Sequence, residues 1–211
     1  MLPTWLPALA IALTLVVQQT SKAEQAHARL VDEVTRLVQV LELHSDSVLA
    51  DVGAGSGEVT IEVARQLGPK SRVYGTDINQ DRLTEIRAAA GKAGLTNVTV
   101  LEGDPNRTNL PDGCCDALIV RHVYHHFADP PAMNASILRA LKPGGRFAVM
   151  DFQPDKGPAR DVPPPKRGSG DDHGVYRETV VAELQAAGFE IVQVLPGWLG
   201  NLFMVLARKP S

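Results

Sequence analysis

The chain has little cysteine, few aromatic residues and no large excess of charge, and each scarcity removes a class of function. Its 211 residues include two cysteines, Cys114 and Cys115, adjacent in sequence. Neighbouring cysteines seldom reach ordinary disulfide geometry, so no disulfide framework is expected and cysteine usage leaves the compartment open. Aromatic residues are 5% of the chain, too few to supply a row of stacking platforms for nucleic-acid bases. A formal net charge of -3 and a pI near 6.1 give no general attraction to a polyanion. A nucleic-acid partner is therefore not expected, and a small molecule is. Internal repeats are missing too, which excludes a solenoid or propeller.

What is present is a hydrophobic content of 44% over 211 residues, enough for one domain with a substantial core. Leu2 to Val17 carries no charged side chain, and the apolar stretch is shorter than the ~20 residues of a spanning helix. Ser21-Lys22-Ala23 offers a small-x-small cleavage site. The expectation is a signal peptide or membrane-anchor-like segment over residues 1–23, with membrane association through residues 2–17, and a single domain over 24–211. The first basic side chain, Lys22, follows the apolar stretch, the arrangement of an anchor with its domain in the cytoplasm. An exported or membrane-anchored domain is expected, or a cytoplasmic one if the segment is an inward-facing anchor or a misassigned start.

The most informative run is Val48-Leu49-Ala50-Asp51-Val52-Gly53-Ala54-Gly55-Ser56-Gly57, a buried strand breaking into a glycine-rich turn that opens a helix. Alternating glycines let the backbone take positive φ and lie close to a ligand, and Ser56 is placed to cap the helix Glu58 to Leu67. The dinucleotide fingerprint G-x-G-x-x-G sets a pyrophosphate on that helix. Here the third glycine comes one residue early and the acids Asp51 and Glu58 flank the turn. Two carboxylates repel a pyrophosphate and favour a ligand carrying an ammonium and a sulfonium, which points to S-adenosylmethionine rather than NAD. Asp77 ends the next strand-like run and is suited, as an acceptor-only group, to two ribose hydroxyls. Glu102-Gly103-Asp104 brings a further carboxylate to the end of a third run, where it can accept from an adenine amino group.

Asp51-Val52-Gly53-Ala54-Gly55-Ser56-Gly57, Asp77 and Gly103-Asp104 resemble the successive cofactor motifs of class I S-adenosylmethionine-dependent methyltransferases. His125-His126-Phe127-Ala128-Asp129-Pro130, Leu141-Lys142-Pro143-Gly144-Gly145 and the tail from Val180 to Phe189 resemble its small type 11 group. The resemblance implies that Asp51 and the turn of Gly53, Ala54, Gly55 and Gly57 hold the methionine end, and Arg121 is a further expected cofactor-binding residue. The resemblance places the ribose on Asp77, with Ile78 beside it, and the adenine on Gly103 and Asp104. It also implies a Rossmann-like doubly wound mixed sheet of seven strands, the last antiparallel, with helices on both faces.

The residues themselves predict helix 24–43, strand 48–52, helix 56–67, strand 72–77, helix 80–93, strands 97–101 and 116–120, helix 130–141 and strand 146–151. A helix at about 176–187 then precedes strands 190–195 and 202–208, joined by Pro196 to Asn201. Alternation of this kind argues a mainly parallel sheet. Gln153 to His173, rich in proline and glycine, reads as one long loop, solvated or closing over a site, with a basic run of Lys156, Arg160, Lys166 and Arg167.

In open α/β sheets ligands sit at the carboxyl ends of the strands, so residues after Val120 and Met150 face the reacting group. His125 is the expected base, with His122 and His173 as alternatives, since a neutral imidazole can take a proton near neutrality. Tyr124 is expected near the sulfonium or the acceptor, Asp151 to orient a histidine or the substrate, and His126 to be structural. A metal set of His122, His125, His173 and Asp151 is weighed, but no H-x-x-x-H or H-E-x-x-H pair lies on an expected helix, so no metal is predicted. The leading expectation is methyl transfer to a small molecule. A non-catalytic cofactor-binding or scaffold protein is the alternative from another class, and aminopropyl transfer is disfavoured because histidines rather than acids follow the fourth strand.

Overall fold

The computed structural model describes residues 6–155 and 162–211, with side chains described from residue 21 onward apart from that of Asp171. Seven strands form one sheet in the order β3-β2-β1-β4-β5-β7-β6. They are β1 (Val48–Val52), β2 (Arg72–Asp77), β3 (Val98–Glu102), β4 (Cys115–Arg121), β5 (Leu141–Phe152), β6 (Glu190–Leu199) and β7 (Leu202–Arg208). β1 to β5 pair in parallel, and β7 runs antiparallel between β5 and β6. The doubly wound mixed sheet expected from the sequence is the one observed. Chain order reverses between β1 and β4, which opens a crevice at their carboxyl ends, the topological switch point where such sheets take ligands.

Helices cover both faces because the central strands are apolar on both sides: Leu49, Val73, Leu118, Ile119, Val149 and Met204 are all fully buried. On one face α1 (Leu6–Val40) and α2 (Glu58–Leu67) pack through Val34, Leu37, Val59 and Val63, and Trp198 joins the same cluster. On the other, α4 (Pro130–Ala140) and α5 (Arg177–Ala186) close over Tyr124, Phe147, Ile137, Val180 and Leu184. Local chemistry sets the helix starts. Asn79 accepts from the backbone N–H groups of Asp81 and Arg82 at the head of α3 (Gln80–Lys92). Asp129 caps α4, whose first residue is Pro130.

Four expectations need correction. The helix expected over 24–43 begins at Leu6 and runs to Val40. Residues 1–5 and the side chains to residue 20, on which the leader rests, are outside the described part; among the described residues no helix is long and apolar enough to cross a membrane. Ser56 does not cap α2: Gly57 takes that place in the left-handed region, at φ 82, with no side-chain bond. A Cβ at Gly57 would come within 2.9 Å of Ile86 and would be strained at that φ, so this helix start trades a polar cap for close packing against α3. β6 continues to Leu199 through a bulge, and only Gly200 and Asn201 remain as the turn. Pro196 is tolerated because β6 is the sheet edge.

The loop after β5 also differs from expectation. Its described part turns twice, at Pro164–Lys166 and Gly170–Asp172, and folds back on the domain. Arg167, expected in a solvated basic run, is 1% exposed. Its guanidinium donates to Glu183 of α5 at 2.7 Å and to the Val162 carbonyl at 2.7 Å. A buried cation is held only when paired and hydrogen-bonded, and this pair ties the loop to α5. Lys156 and Arg160 lie outside the described residues.

Candidate active site

At the carboxyl ends of β1, β2 and β3 lies a cavity of about 470 Å³, within the range of small-molecule and cofactor sites. Gly53, Asp77, Ile78, Gly103, Asp104, Val123, His126 and Phe127 are among its lining residues. Gly53 sits at φ 74, and a Cβ there would come within 2.6 Å of the Val123 side chain. Only glycine lets the β1 turn and the segment after β4 close on one another. Asp77 ends β2; one carboxylate oxygen accepts from the Gly55 N–H at 2.9 Å and the other from the Asn79 N–H at 2.9 Å. The carboxylate is therefore fixed in place, with lone pairs left for two hydroxyls. Ile78 is 64% exposed at the cavity lip, an apolar surface suited to the face of a flat ring. Asp104 also lines the cavity and accepts from the Asn106 N–H at 3.0 Å.

Asp51 is buried at 3% exposure and accepts from the Thr60 hydroxyl at 2.7 Å. Burial pushes its carboxyl up to about 6, against the Thr60 bond and the Arg121 charge, which pull it down. A cation delivered beside Asp51 would restore its charged form. Arg121, at the end of β4, forks onto the buried Glu33 of α1, with Nε at 2.8 Å and the second contact at 3.1 Å. That pair holds α1 against the crevice, and the Arg121 guanidinium is committed to it.

The second half of the site follows β4 and β5. His122 adopts φ 58, in the left-handed region that a non-glycine residue seldom enters. Burial and then the Arg121 charge push its imidazole below the usual histidine range. His125 is 2% exposed and Asp151, at the end of β5, is fully buried. His125 Nδ1 lies 2.8 and 3.0 Å from the two Asp151 oxygens. Asp151 also accepts from the backbone N–H groups of His125 and Phe152. An acceptor-only carboxylate fixes the proton on Nδ1, so Nε2 presents its lone pair; Nε2 is buried with no hydrogen-bond partner.

The returning loop brings His173 to His125, ring centroids 5.0 Å apart, and His126 stacks on His125 at 4.0 Å. His126 is exposed and lines the cavity, a position its reading as a structural residue did not foresee. Desolvation, then the neighbouring imidazoles of His125 and His173, push it below the usual range. Its place at the cavity depends on the turn at Tyr124–His126, which the sequence signalled only as a His-His pair. Tyr124 departs from expectation. It is fully buried, packs on Phe127, accepts from Asn134 at 2.8 Å and donates to Glu183 at 3.0 Å. Its hydroxyl is occupied on the α4–α5 side, so it faces neither donor nor acceptor.

Residues 50–149 match the family described as "Methyltransferase domain", of type 11. A nocamycin O-methyltransferase from Saccharothrix syringae is 33% identical over 130 residues, 62% of this chain and 43% of that protein. A demethylmenaquinone methyltransferase from Thermus thermophilus is 30% identical over 133 residues, 63% of this chain and 56% of that protein. The chain thus spans about half the length of the curated relatives it matches. A solved methyltransferase from Aquifex aeolicus superposes with a TM-score of 0.69 at 23% identity, covering 83% of this chain and 89% of that one, a likeness of fold. Residues 50–149, just under half of the chain, thus carry a methyltransferase domain of the class I S-adenosylmethionine-dependent kind. The cofactor of that class is S-adenosylmethionine, and the cavity with its acidic rim suits a cationic nucleoside of that kind.

Proposed function

We propose that this protein transfers a methyl group from S-adenosylmethionine to a small-molecule acceptor held against the histidines that follow β4 and β5. One observation carries the reading: His126 lines the same cavity as Asp77 and Gly53, and it stacks on the Asp151-oriented His125. When bound, the cofactor supplies an electrophilic methyl group on a sulfonium. The rest of the work belongs to the chain. Asp77 receives the ribose hydroxyls, Ile78, Gly103 and Asp104 hold the adenine, and the Gly53 to Gly57 turn with Asp51 holds the methionine end. Arg121 acts there through its charge beside Asp51 and its pairing with Glu33.

Methyl transfer from a sulfonium is an in-line displacement, so holding donor and acceptor at near-attack distance supplies much of the acceleration. Where the acceptor arrives protonated, the Nε2 lone pair of His125 receives the proton while Asp151 stabilises the resulting imidazolium. His173 and His122 flank the acceptor. The matched relatives carry names that specify demethylmenaquinone and nocamycin as acceptors, which supports a small molecule here as well. The test is production of S-adenosylhomocysteine from S-adenosylmethionine in the presence of a small-molecule cell fraction or of a macromolecular one. Turnover with the small-molecule fraction, lost in His125→Ala, is expected. Cofactor binding with no turnover in either fraction would favour a non-catalytic protein on the same fold.

A further inference from the structure

His125, His126 and His173 stand together in a way that methyl transfer does not require. One ligand nitrogen from each lies within 4.8 Å of the others. The outward nitrogen of His125 is buried and lacks any hydrogen-bond partner, an arrangement that costs free energy unless something accepts its lone pair. Behind it, Asp151 grips Nδ1 with both oxygens, at 2.8 and 3.0 Å. A carboxylate that fixes the tautomer and orientation of an imidazole from the rear is the usual support of a metal-binding histidine. His126 and His173 are exposed, so a fourth position faces solvent and the cavity that His126 lines.

We propose that these three histidines bind a divalent transition-metal ion of the zinc class, with Asp151 as the positioning residue behind His125. Three neutral imidazoles and one open position make up a known catalytic zinc set. Imidazole nitrogens around a tetrahedral zinc are about 3.4 Å apart, so closure from the observed spacing needs only modest rotation of the two exposed rings. The set differs from the one weighed from the sequence: Asp151 stands behind the ligands, and His126 takes the place given to His122. The ion would join the turn after β4 to the loop after β5, because His173 is the loop's contribution. It would also sit where the acceptor's oxygen or a water can occupy the open position. In the loaded protein the His125 lone pair would go to the metal, and the metal would lower the pKa of a bound hydroxyl group, taking over the role of the imidazole base.

The test uses the full chain without an affinity tag, stripped with a chelator and titrated with Co²⁺ and Zn²⁺ in the absence of S-adenosylmethionine. It is therefore independent of whether methyl transfer occurs. One equivalent of Co²⁺ should give the intense visible absorption of a tetrahedral site, displaced by Zn²⁺. His126→Ala and His173→Ala, both at exposed positions, should each weaken Zn²⁺ binding at least 100-fold. Asp151→Asn should weaken it about 10- to 100-fold. His44→Ala, at a remote exposed histidine, should change nothing. Absence of stoichiometric Co²⁺ binding, or binding undiminished in the His126 and His173 variants, would overturn the proposal.

Discussion

The two halves of the cleft are built on strand–helix–strand units of similar span, and the acceptor half adds a residue from a distant loop. Gly55 and Asp77, 22 positions apart, meet across one strand–helix–strand unit. His125 and Asp151, 26 positions apart, meet across a second such unit, and His173 arrives from beyond the loop after β5. The donor half also relies on backbone: the Gly55 and Asn79 N–H groups hold Asp77, and Gly53 lets two segments close. In the acceptor half backbone N–H groups hold Asp151 as well, but Asp151 in turn holds a side chain, the His125 imidazole. Binding a common cofactor needs a fixed backbone cradle, whereas the acceptor end can be varied by changing a few side chains on a constant sheet.

This contrast predicts that the two halves can be broken separately. His125→Ala should lower turnover by roughly 10²- to 10⁴-fold and leave S-adenosylmethionine affinity near normal, as read by steady-state kinetics beside calorimetric binding. Equal losses in both would erase the division. Asp77→Ala should weaken cofactor binding by roughly 100-fold or more, since two hydrogen bonds to a charged acceptor are lost. Unchanged affinity would remove Asp77 from the ribose.

Smaller effects should fall outside both halves. Glu183→Gln leaves the fully buried Arg167 without its counter-charge and disturbs the Tyr124 hydroxyl bond. Denaturant unfolding should show a loss of about 2 kcal/mol, discounted from the usual cost of breaking a buried pair because Glu183 is 22% exposed. Wild-type stability would mean that the loop is held by other contacts.

A further effect lies in the donor half and has the opposite sign. The Asp51 carboxyl is lifted from 3.8 to about 6 by burial. The folded protein therefore holds that proton more tightly than the unfolded chain does. Stability from this group is fully present below about pH 4 and is lost as the pH rises through about 6. Asp51→Asn stays neutral throughout, so at pH 7.5 the free variant should melt higher, by about 2–4 °C for each kcal/mol relieved. The gap should close toward pH 4, while cofactor affinity at pH 7.5 falls for want of a counter-charge. A variant that melts lower at pH 7.5 would contradict the burial argument.

The same contrast explains what could be read from the chain. The strand, glycine turn and acid at Asp51 to Asp77 form a local unit, so spacing and charge sufficed to infer both fold and cofactor. Tyr124 and Arg167 could not be placed that way. Each owes its environment to Glu183 on α5, and nothing in the local sequence of either residue announces that partner. Ser56 does not cap α2, as a polar residue before a helix ordinarily would, because packing of Gly57 on Ile86 decides the start. The role of His126 was hidden because its value lies in what His173 brings to it from the far side of a long loop.

On this account the crevice between β1 and β4 holds S-adenosylmethionine and not a dinucleotide. Isothermal titration of the full chain with S-adenosylmethionine, S-adenosylhomocysteine and NAD tests it most directly. Micromolar binding of the first two and none of NAD is the predicted result. Binding of NAD, or of none of the three, would contradict it.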